Sequence, residues 1–248
     1  MTDLVTLINK EIKRFLRVWP QTLVPPIITL TLYLVVFGKF IWSQVGDIKW
    51  VEYMNFIIPG LIMMSIIMAS YSNSSSSFFA SKLFWSIDEL LVSSITKTKI
   101  LVGFTVWSII RALIVGFLGL GVSFFFGDIV IENYFYFVVF IVLTSTVFSL
   151  AGLLNAILAK TFDQINMVPT FLITPLIYLG WVFYSINMLP YFWETVSQFN
   201  PILYLINWFR YSFLGITDVN INWAIFVLFL FIIILFYINY YFLKNYRK

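Results

Sequence analysis

The sequence predicts an all-α integral membrane protein. It has six transmembrane helices, an N-terminal amphipathic interfacial helix, a cytoplasmic helix between spans two and three, and a short external re-entrant helical hairpin before span six. Three observations predict the membrane fold. Only 10% of the 248 residues are charged and 61% are hydrophobic, with a mean hydropathy of +0.96. Soluble domains carry about 25% charged residues, so this chain lacks the charge to clothe a water-facing surface. Several apolar runs reach the ~20 residues that cross ~30 Å of hydrocarbon as helix. The cations between those runs are distributed unevenly between alternate connections, as membrane orientation requires.

Composition also excludes chemistry. The chain has no cysteine and no histidine, which removes disulfides, thiolate nucleophiles, the commonest general base and the commonest metal ligand. No metal site is expected. The net charge of +4 sits where it orients the protein in the membrane, so it does not point to nucleic acid.

Residues 1–19 come first. Leu4, Leu7, Ile8, Ile12, Phe15, Leu16 and Trp19 recur at spacings of three and four, while Lys10, Lys13, Arg14 and Arg17 fall largely on the other side. This is a basic amphipathic helix, suited to the headgroup plane with its cations toward anionic lipid. The same cations serve as the positive flank of the first span. The run that follows lacks a small-residue cleavage site and is too long for a signal-peptide core, so it should remain attached.

Hydropathy places the spans at 21–42, 53–71, 100–125, 134–158, 167–184 and 222–243. Pro25-Pro26 falls in the first turns of span one, where the missing N–H groups have no helical partner in any case. Pro59-Gly60 lies inside span two and should bend it, unless packing satisfies the freed carbonyl. Between spans two and three, 72–99 is the longest break in the apolar pattern. It opens with Ser72-Asn73-Ser74-Ser75-Ser76-Ser77, read as small residues at a helix end, and contains the amphipathic piece Phe84 to Val92 with the acidic pair Asp88-Glu89.

With the N-terminus inside, the cytoplasmic side holds Lys10, Lys13, Arg14, Arg17, Lys82, Lys97, Lys99, Lys160, Lys244, Arg247 and Lys248. The outside holds Lys39, Lys49 and Arg210. Eleven cations against three is a strong positive-inside signal, and an even number of spans returns the C-terminus to the cytoplasm. Asp163, beside Lys160, reads as part of a solvated turn.

The last external connection, 185–220, is too apolar for a free loop and too polar for a span. Two pieces, 190–199 and 201–214, are divided by Asn200-Pro201. Asn200 suits an N-cap, Pro201 a first helical turn, and Gly215 a C-terminal end. Two short helices dipping into the outer leaflet satisfy the rule that non-helical backbone at membrane depth is buried in protein or lines a cavity.

These residues resemble a known family. Asn200-Pro201-Ile202-Leu203-Tyr204, followed by Arg210 and Gly215 just before the last span, is similar to the signature of ABC-2 type transporter permeases. So are Phe56-Ile57-Ile58-Pro59-Gly60-Leu61 entering span two, Glu89-Leu90-Leu91 after it, and Pro175-Leu176 through Phe183 in span five. The order of the motifs and their sides of the membrane fit over essentially the whole chain, read as one domain over 1–248. Two positions depart from the family's pattern. Ser93-Ser94 stands where a proline often follows Glu-Leu-Leu, which bears on how the coupling segment ends. Trp181 stands where a second glycine often follows Gly180, which disfavours close helix approach at span five.

The resemblance implies a permease subunit in the bacterial inner membrane, working as a dimer, most simply a homodimer, above two copies of a separate ABC ATPase. ATP and Mg would be bound by that partner and not by this chain. Residues 84–97 would hold the coupling helix, with Asp88 and Glu89 pairing to basic groups of the ATPase and Trp85, Ile87, Leu90 and Leu91 on its apolar side. Asn200, Pro201, Tyr204, Arg210 and Gly215 would form the external gate. Tyr204 and Arg210 lie six apart, nearly two turns, which would place them on one side of a helix.

Arg111 stands alone inside span three. An intramembrane cation is costly and usually faces the bundle interior or a wet path. A substrate contact, the dimer interface and snorkelling to the cytoplasmic headgroups all remain open for it, and no spanning acid is an obvious partner. Pro59 and Gly60 are grouped with it as pathway or interface positions. The chain has no G-x-x-x-x-G-K-[ST] run, and its one Gly-Lys pair, Gly38-Lys39, is followed by Phe40. Energy must come from a partner ATPase or an ion gradient. A gradient-driven secondary transporter should carry mid-span acids, and none is present. A non-catalytic assembly factor is the other alternative. The exported substrate is not legible.

Overall fold

The computed structural model describes residues 2–41, 51–84, 87, 90, 92, 95–127, 129–184, 190–215 and 221–246. Helix α1 runs Thr2–Val35 and continues as a π-helical turn, Val36–Ile41. Then come α2 (Tyr53–Leu83), α3 (Lys97–Ser123) and α4 (Tyr134–Leu158). After them lie α5 (Phe162–Val168), a π turn at Pro169–Ile173, and α6 (Thr174–Tyr178). Helices α7 (Tyr191–Gln198), α8 (Pro201–Leu214) and α9 (Ile221–Lys244) complete the chain. No strand forms among the described residues.

Among the described residues, five helices are long and apolar enough to cross a membrane: Thr6–Gly38, Tyr53–Leu83, Lys97–Ser123, Tyr134–Leu158 and Ile225–Lys244. The sequence expects a sixth, at 167–184, and here the structure differs. That stretch is built of short pieces of 7, 5 and 5 residues, starting earlier and ending at Tyr178. At 1.5 Å per residue this gives about 25 Å of rise, short of the ~30 Å hydrocarbon core. Pro169 and Pro175 are the cause, since each removes an N–H from the helical ladder. The chain then reverses through Trp181, whose φ of 64° is left-handed.

Span one differs too. The amphipathic segment and the span are one helix, kinked at Val18 (φ −123°, ψ 20°), just before Pro20. Pro25 and Pro26 therefore lie inside a helix and not in its first turns, and each denies a carbonyl its i+4 donor.

The third difference is the serine run. The sequence places a break from residue 72, yet α2 continues unbroken to Leu83, which confines the connection to 84–96. The serine hydroxyls return hydrogen bonds to their own helix. Ser70 donates to Ile66 O at 2.8 Å, Ser74 to Tyr71 O at 3.1 Å, and Ser75 to Ser72 O at 3.3 Å. A serine satisfied in this way loses much of the polarity that hydropathy assigns to it. Small side chains then let helices approach: a Cβ on Gly152 of α4 would lie 2.5 Å from Tyr71 O. Ser70, Ser74, Ser75 and Ser77 are all buried. Helix α2 is thus the axis of the bundle, packed on α3, α4 and α8.

The outer helices contrast with it. In the most apolar window of α1 and of α9, 17% and 11% of residues are buried, against 78% for α2, so their apolar faces are left for lipid or another chain. Asn239 ties α9 to α4 by donating to Leu150 O at 3.0 Å. Lys82, at the end of α2, donates to Ile157 O (3.0 Å) and Ala159 O (2.7 Å) and so satisfies carbonyls at the C-terminus of α4.

Candidate functional site

At the N-terminal end of the bundle a polar node joins α1, α2 and α3. Arg111 of α3 is 8% exposed. Its Nη1 donates to Asn73 Oδ1 of α2 at 3.1 Å, and its Nη2 donates to Thr22 O of α1 at 3.1 Å. The Thr22 carbonyl is available because its helical donor would be the N–H of residue 26, which is proline. Asn73 Nδ2 donates to Ser108 Oγ at 2.9 Å. Arg14 Nη2 approaches the same Asn73 oxygen at 3.4 Å and pairs with Glu11 at 3.0 Å. Glu11 is 1% exposed, and Ser77 donates to its carboxylate at 2.6 Å. Two guanidinium groups, one carboxylate and one amide therefore hold three helices in register, where buried charges need partners.

This arrangement decides one alternative left open for Arg111 and changes the reading of Arg14. Arg111 does not snorkel; it is committed inward, and its partners are an amide and a proline-released carbonyl where no spanning acid exists. Arg14, one of the cations that the sequence places toward lipid, turns to Glu11 and Asn73 and is 35% exposed. The face of α1 that packs on the bundle carries Leu7, Glu11 and Phe15, all buried, with Phe15 edge-on to Trp107 at 5.3 Å. Leu16 and Trp19 remain exposed. Lys10, Lys13 and Arg17 stay exposed, as their side of the helix requires.

A second node surrounds the two short helices before α9. Asn200 Oδ1 accepts from Ile202 N at 3.0 Å, Pro201 opens α8, and Gly215 closes it with φ 64°. A Cβ on Gly215 would also overlap the Glu132 carboxylate. Asn200 Nδ2 donates to Leu176 O, linking α8 to the end of α6. Arg210 is buried, donating from Nε to Phe56 O (3.1 Å) and from Nη2 to Trp181 O (2.8 Å), with its guanidinium 3.8 Å from the centre of the Phe56 ring. Arg210 is thus an internal clasp between α8, α2 and the turn at Trp181.

Tyr204 turns elsewhere, donating to Gln198 O at 2.8 Å. Six residues subtend about 600° of helix, some 120° short of two turns, so the shared face expected for Tyr204 and Arg210 does not form. Close approach does occur beside Trp181, outside the helices of that stretch, where α2 supplies the small residue: a Cβ on Gly60 would lie 3.1 Å from Val182 Cα. Pro59, Gly60 and Arg111 all lie in the interior of the chain.

Of the coupling segment, Trp85, Asp88, Glu89 and Leu91 lie outside the described residues, as do Ser93 and Ser94. Ile87 is fully buried and Leu90 partly so, both packed with Phe78, Phe79, Ile100 and Phe104 from the ends of α2 and α3.

Sequence reasoning missed Glu11, Asn73, Ser108 and Thr22. The signals were present. Glu11 sits between Leu7 and Phe15 on one face, at spacings of four. Ser108 stands three residues before Arg111, and Asn73 is the one amide in the serine run.

Residues 2–214 match the family model described as ABC-2 type transporter. The chain is 50% identical over 224 residues to the inner membrane transport permease YadH of Escherichia coli strain K12, covering 90% of this chain and 88% of that protein. It is also similar to nodulation protein J of Rhizobium leguminosarum bv. viciae, 25% identical over 212 residues, 84% of this chain and 81% of the relative.

Proposed function

The chain belongs to the ABC-2 type transporter family, and on that premise we propose that it forms the membrane pathway of an ATP-driven exporter whose ATPase is a separate subunit. In this reading two copies of the chain pair in the bacterial inner membrane with both termini in the cytoplasm. Six membrane passages result, the proline-broken α5–α6 stretch supplying the short one. Two ATPase subunits, carrying ATP and Mg, seat the 84–97 segment, and this chain is the non-catalytic partner.

The observation that carries the reading is the burial of Ile87 among the ends of α2 and α3. A push on this connection is delivered to packed side chains and moves helices, as rigid-body switching requires. ATP supplies the differential binding that drives the change. The α7–α8 pair, clasped to α2 through Arg210, is positioned to follow α2 as an external lid. Because Pro59, Gly60 and Arg111 are interior, the contact between copies falls to exposed apolar faces such as that of Ile28 and Leu32 on α1.

The test is an affinity pull-down of detergent-solubilised protein from its native host beside Asp88→Lys/Glu89→Lys. An ABC ATPase should accompany the native chain and be lost from the double variant. Equal recovery from both, or none from either, rejects the coupling role and turns attention to gradient-driven transport.

A further inference from the structure

Beside the node at Glu11 lies an open cleft of about 720 Å³ between α1 and the end of α2. Its two walls are helix stripes that face each other. Lys10, Lys13 and Arg17 on α1 are spaced three and four apart and so share a face. Ser77, Ala80, Ser81 and Phe84 at the end of α2 follow the same period. Four cations and one carboxylate line the cleft, and that carboxylate, Glu11, is already taken by Arg14 and Ser77. Lys13 and Arg17 make no ion pair among the described residues. Phe84, 79% exposed, stands at the edge with Ala80 beneath it.

We propose that this cleft binds the phosphate headgroup of an anionic lipid from the cytoplasmic leaflet, with Lys13 and Arg17 on the phosphate and Phe84 and Ala80 against the start of its acyl chains. The inference rests on the placement of α1 at the cytoplasmic membrane surface. The volume falls in the ~300–1,000 Å³ range of ligand sites, larger than an inorganic anion needs. The apolar edge matches an amphiphile and gives a soluble anion nothing to contact. The kink at Val18 sets the cleft where α1 passes from its amphipathic part into its apolar part, the depth at which headgroups lie.

Native mass spectrometry of the full-length protein in detergent tests this, with phosphatidylglycerol, phosphatidylcholine and inorganic phosphate as separate probes. One tightly held phosphatidylglycerol is expected, in preference to phosphatidylcholine and undisplaced by millimolar phosphate. Lys13→Gln/Arg17→Gln should weaken it about 30-fold, at about 1 kcal/mol per cation. Ala80→Phe, which fills the cleft without changing charge, should abolish it. Lys99→Gln/Lys160→Gln, which removes equal charge elsewhere, should leave it intact. Equal weakening by the two charge pairs reduces the effect to surface electrostatics and overturns the proposal, as does displacement by phosphate or the absence of a headgroup preference. If the pull-down shows the ATPase lost from Lys13→Gln/Arg17→Gln while lipid binding is unchanged, the cleft belongs to the protein partner and the lipid assignment fails. Retention of the ATPase by these variants with loss of lipid separates this inference from the transport reading.

Discussion

Asn73→Ala strips the amide on which the α1–α2–α3 node turns. Three contacts go with it: Arg111 Nη1 at 3.1 Å, Ser108 at 2.9 Å, and the long Arg14 contact at 3.4 Å. A hydrogen bond to a charged group contributes about 1.5–3 kcal/mol and a neutral one about 1. The 3.4 Å contact adds little at that length. The expected loss is about 2–4 kcal/mol, because a buried guanidinium is left with an unsatisfied N–H while its other arm still holds Thr22 O. For a chain of this size about 1 kcal/mol corresponds to 2–4 °C, so the apparent melting temperature in detergent should fall by about 4–16 °C. The decisive measurement is the double variant Asn73→Ala/Arg111→Met. Removing donor and acceptor together spares the desolvation penalty, so it should melt well above the additive expectation, with a coupling of about 1.5–3 kcal/mol. A single variant within 2 °C of wild type, or strict additivity, would refute the claim that Asn73 neutralises the cost of Arg111.

Two further predictions follow from the packing. Gly152→Val places side-chain atoms where a Cβ alone already lies 2.5 Å from Tyr71 O. It should separate α2 from α4 at a cost of about 3 kcal/mol or more, seen as loss of monodisperse protein in size-exclusion chromatography, while Gly121→Val, where a Cβ meets open space, should pass unchanged. Arg210→Lys keeps the charge but cannot reach Phe56 O and Trp181 O together from one ammonium group. It should destabilise nearly as much as Arg210→Met, by about 2–4 kcal/mol in thermal unfolding; full rescue by lysine would refute the clasp.

The apolar runs, the one-sided cations, the Asn200-Pro201 helix start and the Gly215 stop were legible in the residues themselves. Each depends on local properties: transfer free energy summed over a window, the missing N–H of proline, or a backbone angle that glycine alone adopts freely. The limits of α4 and α8 follow from the same local rules, at 134–158 and 201–214. The α2 extension was not legible, because hydropathy scores a serine as if its hydroxyl faced water. In the helix that hydroxyl is spent on a carbonyl three or four residues back. The break in the stretch read as span five escaped for the opposite reason: its side chains are apolar, but two prolines deny the backbone a continuous ladder.

Sequence alone therefore determined that this chain is built for a membrane and which family it resembles. Tertiary structure decided what its charged residues are for. Arg111, Arg210, Arg14 and Lys82 all look like surface or pathway cations along a line of residues, and all four reach carbonyls or an amide of other elements. A buried charge takes whatever partner the fold brings within reach, and for these cations that partner on another element lies between 29 and 154 positions away in the chain. No local pattern carries that distance.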